Sequence, residues 1–253
     1  MEQRIPKIIH LVWFGKKEYP ELVKKCLKSW DDYLPDYEIK IWNENSFDVG
    51  VCPFVKEAYN SQKWAFVSDY VRLWALYNYG GIYMDTDVEV VRPLDAFLEH
   101  DAFSGFEAKD SIPTGIIGAA QNNEVIKMLL DYYTDKHFVN DDGSLNQISN
   151  VTIITEILSS HGLVLNGKFQ NIAGFALYPQ IVFCPNNFLR IFNITSRQTY
   201  TIHHFTGSWT NSPITKKTLK LNVKRYFVGV LRDAIGTQRT AKIIDKVRNQ
   251  KWI

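Results

Sequence analysis

The chain has 253 residues, of which 45% are hydrophobic and 22% charged, and its formal net charge is +2. This composition excludes a disordered chain, and the length suits one sizeable hydrophobic core. Three cysteines without metal-type or disulfide-type spacing, and no evident signal peptide or membrane-spanning run, lead us to expect reduced thiols and a cytoplasmic protein.

The first forty-odd residues alternate between strand and helix patterns. Residues 5–15, IPKIIHLVWFG, form an apolar run that ends in glycine and predicts a strand. A helix with apolar residues at helical spacing begins at Pro20, and residues 37–44 alternate as in a second strand. This order predicts a βαβ unit and hence an α/β fold. Ligands collect at the carboxyl ends of such strands, so we expect Trp13 and Phe14 to face a ligand pocket.

The stretch from Trp64 to Asp87 carries the strongest chemical pattern. Its first part has the apolar spacing of a helix, which Gly80 and Gly81 are expected to end. The polar residues of this helix, Ser68, Asp69 and Arg72, lie off its apolar stripe. A strand should follow, with Tyr83, Asp85 and Asp87 on one face.

Two carboxylates at alternate strand positions lie roughly 7 Å apart, too far for both to chelate one ion tightly. One of them can hold a divalent cation while the other reaches a sugar hydroxyl or a metal-bound water. Carboxylate ligands favour Mg²⁺ or Mn²⁺, which substrate phosphates often complete. When it stands alone, an Asp-x-Asp can instead be two exposed acids at the solvated end of a strand, with no metal site.

Short strands or bends are predicted at 103–107 and 114–120, and helices from Asn123 to Asp135 and from Asn150 to Ser160. Residues 201–210, TIHHFTGSWT, contain adjacent histidines. Neutral imidazole is a good ligand for Mn²⁺, and successive strand residues face opposite ways, so only one histidine should reach a given site.

The string SDYVRLWALYNYGGIYMDTD resembles the signature of the Asp-x-Asp sugar transferases of glycosyltransferase family 32, and IIHLVWFG resembles the opening of the same family. The large glucosylating toxins carry a related arrangement. The resemblance implies a GT-A (Rossmann-like) nucleotide-sugar fold with a mixed central sheet. It also implies transfer with retention of anomeric configuration.

The resemblance also implies roles for individual residues. Asp87 is the expected principal metal ligand, with Asp85 bridging towards ribose, sugar or a metal-bound water, and His204, or else His203, completing an Mn²⁺ (or Mg²⁺) site. Asp69 and Arg72 match toxin-family residues that hold the sugar hydroxyls and the phosphate end of the donor. Trp13 matches a residue that stacks on uracil. The expected donor-binding set is Val12, Trp13, Ser68, Asp69, Arg72, Tyr83, Asp85, Ser208 and Trp209.

Residues 216–253 form a basic tail beyond a predicted catalytic domain at 1–215. The tail holds eleven Lys or Arg against two Asp, hence a charge of +9, which leaves 2 − 9 = −7 for the rest. Its apolar residues predict an amphipathic C-terminal helical segment. Such a segment either lies on an anionic membrane surface or packs back on the domain. A nucleic-acid partner is not expected.

We therefore expect a metal-dependent hexosyltransferase that uses a nucleotide-sugar, with UDP-galactose, UDP-glucose or an N-acetylated form favoured. Mannose stays open as the sugar, and UDP is favoured over GDP only by the match of Trp13 to a uracil platform. Its expected acceptor is a lipid-linked glycan of capsule or exopolysaccharide synthesis at the inner membrane face. Alternatives are a protein-modifying toxin-like glucosyltransferase, a non-catalytic sugar-nucleotide binding protein and a haloacid-dehalogenase-type phosphatase. Glu89 stands where those phosphatases usually carry a small hydroxyl residue.

Overall fold

A computed structural model describes residues 2–108, 111–112, 115–185, 187–188, 192–193 and 196–205. The chain divides into two compact units, one formed by Met1–Asn186 with Ile194–Trp209 and the other by Asn187–Asn193 with Thr210–Ile253. The predicted helical tail at 216–253 lies outside the described residues, so the predicted division at residue 215 stays a prediction.

The predicted βαβ unit is confirmed. Strand β1 (Ile8–Val12) leads into helix α1 (Glu21–Tyr33) and then β2 (Glu38–Trp42), which pairs with β1 in parallel. Helix α2 (Pro53–Asn60) follows, with Pro53 in its first turn, where a missing N–H is not needed. Helix α3 (Trp64–Tyr79) then returns the chain to β3 (Gly81–Met84), which pairs in parallel with β1.

The second half of the chain completes a seven-stranded mixed sheet. The further elements are β4 (Val88–Val90), a 3-10 turn (Asp95–Phe97), β5 (Ala102–Gly105), β6 (Ile116–Ala119), α4 (Glu124–Asp131), α5 (Asn150–Ser160), β7 (Gln170–Ile172), β8 (Phe175–Tyr178), α6 (Gln180–Phe183), β9 (Asn187–Phe188), β10 (Phe192–Asn193) and β11 (Thr201–His203). The sheet order is β2-β1-β3-β6-β5-β8-β7, and β11 pairs separately with β4. The mixed central sheet agrees with the predicted GT-A-type α/β fold.

Two hydrophobic clusters cover the two faces of the sheet. One packs helices α2 to α5 against the face that carries Tyr83, and the other packs α1 against the face that carries Ile82 and Met84. The predicted alternation of these three residues is therefore confirmed. Cys26, Cys52 and Cys184 are free thiols. Among the described helices, none is long and apolar enough to cross a bilayer.

The paired glycines end helix α3 as predicted. Gly80 has φ +64° and its N–H bonds to the carbonyl of Leu76, while Gly81 has φ +106°. A Cβ on Gly81 would lie 2.6 Å from the carbonyl oxygen of Ile8, so only glycine allows β3 to begin this close to β1. The glycine pair thereby sets where β3 ends and where the acidic pair follows.

Gly118 in β6 offers a test of the sheet packing. Its missing Cβ would lie 2.1 Å from the ring of Phe103, so Gly118→Ala should lower the free energy of unfolding in urea by about 1–3 kcal/mol. Adding Phe103→Leu to this variant should cost less than the sum of the two single changes, because the smaller side chain makes room. Strictly additive costs would contradict the contact.

Candidate active site

Asp85 and Asp87 lie in a turn rather than on a strand. Strand β3 ends at Met84, and the N–H of Val88 bonds to the carbonyl of Asp85 at 2.9 Å. The expectation of strand-facing carboxylates roughly 7 Å apart is wrong, because the turn folds the two side chains towards each other. The backbone N–H of Asp85 is held by the carbonyl of Gly115 at 2.8 Å.

The turn runs directly into β4, and β11 pairs with β4 so that His203 lies opposite Val88. Its imidazole Nε2 lies 3.2 Å from Asp87 Oδ1 and 3.7 Å from Asp85 Oδ2. Gly115 leaves the space for this ring, since a Cβ there would lie 2.8 Å from His203 Nδ1. The short β4–β11 sheet thus joins residues more than a hundred positions apart.

These three side chains fit a divalent cation. One ligand atom each from Asp85, Asp87 and His203 lies within 4.8 Å of the others, and the two carboxylates are buried. Neighbouring ligands of an octahedral ion with bonds of about 2.1 Å lie about 3 Å apart and opposite ones about 4 Å, which brackets the two His203 distances. Two carboxylate oxygens and one imidazole suit Mn²⁺ or Mg²⁺.

His204 faces the other way. Its Nε2 lies 2.8 Å from Glu89 Oε2, and Lys25 Nζ lies 2.9 Å from the same oxygen. The backbone N–H of His204 bonds to the carbonyl of Asp87 at 3.0 Å. The geometry therefore favours His203 over His204, the residue preferred from the sequence, since strand alternation turns the second ring towards Glu89.

The charge of His203 depends on its acidic neighbours. Burial alone would lower the pKa of His203, but the hydrogen bonds to Asp87 and Cys184 and the charges of Asp87 and Asp85 raise it well above its usual value. Without a cation, these neighbours therefore favour the protonated form of His203. A metal ion would have to displace that proton, because only neutral imidazole is a ligand.

Arg72 is buried behind the turn that carries Asp85 and Asp87, which we name the acidic turn, and 3% of its side chain is exposed. Its Nη2 lies 2.9 Å from Asp69 Oδ1 and its Nη1 lies 3.4 Å from Asp85 Oδ1. The guanidinium also covers the ring of Tyr83, whose hydroxyl donates to Asp85 Oδ1 at 2.5 Å. Asp85 is thus held through one oxygen while the other faces His203.

The Ser68 hydroxyl extends this network by hydrogen-bonding that of Tyr83 at 3.1 Å. Burial opposes the charge of Arg72, but Tyr83, Asp85 and Asp69 outweigh it and raise the pKa of the guanidinium. Burial raises the pKa of Asp69 to about 6, against the opposing charge of Arg72. The sequence predicts one donor-binding site that includes Ser68, Asp69, Arg72 and Tyr83. The structure places these four residues in one cluster.

Two side chains near the site had no sequence signal. Asn150 begins helix α5, is 2% exposed, and donates from Nδ2 to the carbonyl of Asp69 at 3.3 Å. Glu107 follows β5, and burial raises the pKa of its carboxyl, with smaller effects from the charges of His203 and Asp85. Neither residue belongs to a motif, so only the fold places them here.

Val12 and Trp13 stand at the end of β1. His10 pairs with Tyr83, so Val12 and Asp85 each lie two residues farther along neighbouring parallel strands. Trp13 is half-buried, and its indole N–H donates to the carbonyl of Lys17 at 2.7 Å, which fixes the ring near the carboxyl edge of the sheet. Base stacking on Trp13 stays a prediction. Ser208 and Trp209 lie outside the described residues.

Comparison with known proteins supports a sugar transferase. Residues 20–104, about a third of the chain, match the family described as "Glycosyltransferase sugar-binding region containing DXD motif". This match confirms the resemblance noted from the helix, the glycine pair and the acidic turn.

The curated relatives of this chain include proteins named as mannosyltransferases. The chain is 33% identical over 142 residues to inositol phosphoceramide mannosyltransferase 3 of Schizosaccharomyces pombe, covering 53% of this chain and 40% of that protein. It is 29% identical over 138 residues to mannosyl phosphorylinositol ceramide synthase CSH1 of Saccharomyces cerevisiae, covering 51% of this chain and 36% of that one. The chain thus spans less than half the length of these relatives.

Two solved glycosyltransferase structures show a partial likeness to this chain. The PaToxG glycosyltransferase is 19% identical with a TM-score of 0.48, covering 62% of this chain and 70% of that chain. The galactosyltransferase LgtC, solved with donor and acceptor sugar analogs, is 12% identical with a TM-score of 0.48, covering 86% and 95%.

Exchange of single side chains should separate the two histidines. We expect His203→Gln to weaken Mn²⁺ binding by about tenfold or more, measured by calorimetry or electron paramagnetic resonance. We expect His204→Gln, which keeps a donor for Glu89, to change it much less. Asp87→Asn should weaken binding at least as strongly as His203→Gln. Equal losses in the two histidine variants would contradict the assignment to His203.

The raised pKa of His203 predicts the direction of the pH dependence. Because the raised pKa favours a proton on His203 in the metal-free site, Mn²⁺ affinity should rise as pH rises towards the pKa of His203. Calorimetry in buffers of different ionisation enthalpy should count about one proton released per ion bound. The His203→Gln variant should release none from this position, and an unchanged release would contradict the proton on His203.

Proposed function

We propose that this chain is a metal-dependent glycosyltransferase that moves a hexose from a nucleotide diphosphate sugar to an acceptor hydroxyl. The observation that carries the proposal is the convergence of Asp85, Asp87 and His203 at the carboxyl edge of the sheet. It lies beside the buried Asp69–Arg72 pair, and both Asp residues and that pair fall within the matched glycosyltransferase segment.

Asp85, Asp87 and His203 are the residues that would hold the ion. A bound Mn²⁺ or Mg²⁺ would supply positive charge to offset the negative charge that develops on a departing diphosphate. Asp87 contributes an oxygen next to His203 Nε2, and Asp85 contributes the oxygen that Tyr83 and Arg72 leave open. Because the metal would replace a proton on His203, we expect a neutral or slightly basic pH to favour metal binding.

Arg72 acts through the residues that it holds. With its guanidinium bound to Asp69, Asp85 and the carbonyl of Ser68, it orients two carboxylates rather than lying open to solvent. Asp69, with 12% of its side chain exposed, is then the member of the pair that reaches the sugar hydroxyls. Trp13 is the proposed platform for the base of the donor. Retention of configuration belongs to the proposal and is supported by the family resemblance.

The proposed donor and the proposed acceptor rest on different observations. The resemblance of Trp13 to a uracil platform favours a UDP-hexose, whereas the names of the curated relatives favour a mannose donor. Those relatives are named for inositol phosphoceramide, so we propose an acceptor hydroxyl on a lipid-bound polyol or sugar. Capsule or exopolysaccharide synthesis, expected from the sequence, has no support among these relatives. A cytoplasmic enzyme peripheral to the membrane suits such an acceptor.

The test is nucleotide release from UDP-hexoses and GDP-mannose with Mn²⁺, Mg²⁺ or a chelator, in the presence of a short-chain inositol phospholipid. We expect one donor to be turned over only with metal, and Asp87→Asn to lower that rate by roughly a hundredfold. Asp32→Asn, at the exposed end of helix α1, serves as the matched control and should match wild type.

Donor binding and cleavage of an aryl phosphate are measured beside turnover. If no donor binds with metal while the aryl phosphate is cleaved, a phosphatase replaces the transferase. If a donor binds with metal but neither hydrolysis nor transfer occurs, the sugar-nucleotide binding alternative gains support.

A further inference from the structure

A loop at residues 163–169, LVLNGKF, presents apolar side chains to solvent. We name it the apolar loop. Val164 is 58% exposed, Leu165 42% and Phe169 52%. Among the described residues, eight large hydrophobic side chains are exposed, and three of them fall within this seven-residue loop. Scattered exposed apolar residues are ordinary, but a cluster marks an interaction surface.

The apolar loop is ordered by its own polar groups. The side-chain amide of Gln170 donates to the carbonyl of Val164 at 2.7 Å and accepts the N–H of Val164 at 2.9 Å. The N–H of Lys168 bonds to the side chain of Asn166 at 2.8 Å, and Leu163 anchors the loop with 6% exposure. Backbone groups paired inside the loop need no water, which suits insertion into an apolar phase.

The loop lies on the same edge of the sheet as the candidate active site. Strands β3, β5 and β8 run in the same direction, and β7 runs opposite to β8, so the chain enters β7 at the carboxyl ends of the other three. The ring of Phe169 lies 5.0 Å from that of Tyr178, the last residue of β8. Four strand spacings separate β3 from β7, about 19 Å.

The charge within the apolar loop favours an anionic partner. From residue 157 to residue 205 the sequence contains no Asp or Glu. Lys168, an exposed cation, lies in the apolar loop itself. A loop with exposed apolar side chains, a lysine and no acid matches the boundary between anionic head groups and acyl chains.

We propose that the apolar loop docks on an anionic lipid bilayer, with Val164, Leu165 and Phe169 entering the head-group boundary and Lys168 contacting lipid phosphates. This docking would turn the carboxyl edge of the sheet, and with it Asp85 and Asp87, towards a membrane-bound acceptor. The inference deepens the proposed function and rests on it for the acceptor, whereas bilayer binding is measured without any turnover.

The test is flotation of the full chain with vesicles of phosphatidylcholine, with or without a minority of phosphatidylinositol. We expect binding to the anionic vesicles, weakened about tenfold or more in the triple variant V164S/L165S/F169S, because three apolar side chains no longer enter the boundary. Tyr33→Ser removes an equally exposed side chain from the end of helix α1, at the opposite edge of the sheet, and should leave binding unchanged.

Release of nucleotide from a donor without lipid should be equal in the triple variant and wild type, which separates docking from chemistry. If the triple variant unfolds and loses this release, a second measurement tests the docking. An environment-sensitive dye on Leu165→Cys, in a Cys52→Ser background that leaves only buried thiols, should shift to the blue on anionic vesicles. The same dye on Tyr33→Cys should not shift.

Binding that is equal in wild type and triple variant, or a dye at Leu165 that does not respond, would overturn the proposal. A wild-type dimer that the triple variant makes monomeric, with unchanged vesicle binding, would assign the loop to a second copy of the chain instead. Failure of the donor assay together with intact vesicle binding would reject the proposed function and leave the docking surface standing.

Discussion

The candidate active site depends on one buried cation. A guanidinium with 3% of its side chain exposed must be paired, because an isolated charge in a protein interior is very costly. Arg72 finds its partners in Asp69, one turn earlier on the same helix, and in Asp85, beyond the end of the next strand. The two ion pairs therefore neutralise the guanidinium on helix α3 and orient the Asp85 carboxylate of the acidic turn.

The short path from helix α3 to the acidic turn explains why these residues are close in sequence. The Gly80–Gly81 reversal lets β3 begin beside β1, and His10 secures it by bonding its Nε2 to the carbonyl of Gly80 at 2.6 Å. Burial lowers the pKa of His10 to about 4, so the ring is neutral at physiological pH and accepts from Trp42 on its other nitrogen. A neutral ring can fill this apolar position without a counter-ion.

Local pattern predicted much of this arrangement, and long-range pairing decided the rest. Helix α3, its glycine end and the faces of Ile82, Tyr83 and Met84 follow from spacing alone. The prediction that the strand extends through Asp87 was wrong, since the chain turns there and the N–H of Val88 bonds to the carbonyl of Asp85. The choice between His203 and His204 depends on the register of β11 against β4, which no local pattern contains. Asn150 and Glu107 join the site for the same reason.

The matched segment and the strands that follow it meet at one edge of the sheet. The matched sugar-binding segment, residues 20–104, supplies the helix, the acidic turn and strands β2 to β4. Strand β6, the β7–β8 pair and the apolar loop come later, yet they reach the same edge because β8 runs parallel to β5. The proposed docking on a lipid bilayer rests on the exposed apolar residues at 164–169, in a stretch without acids.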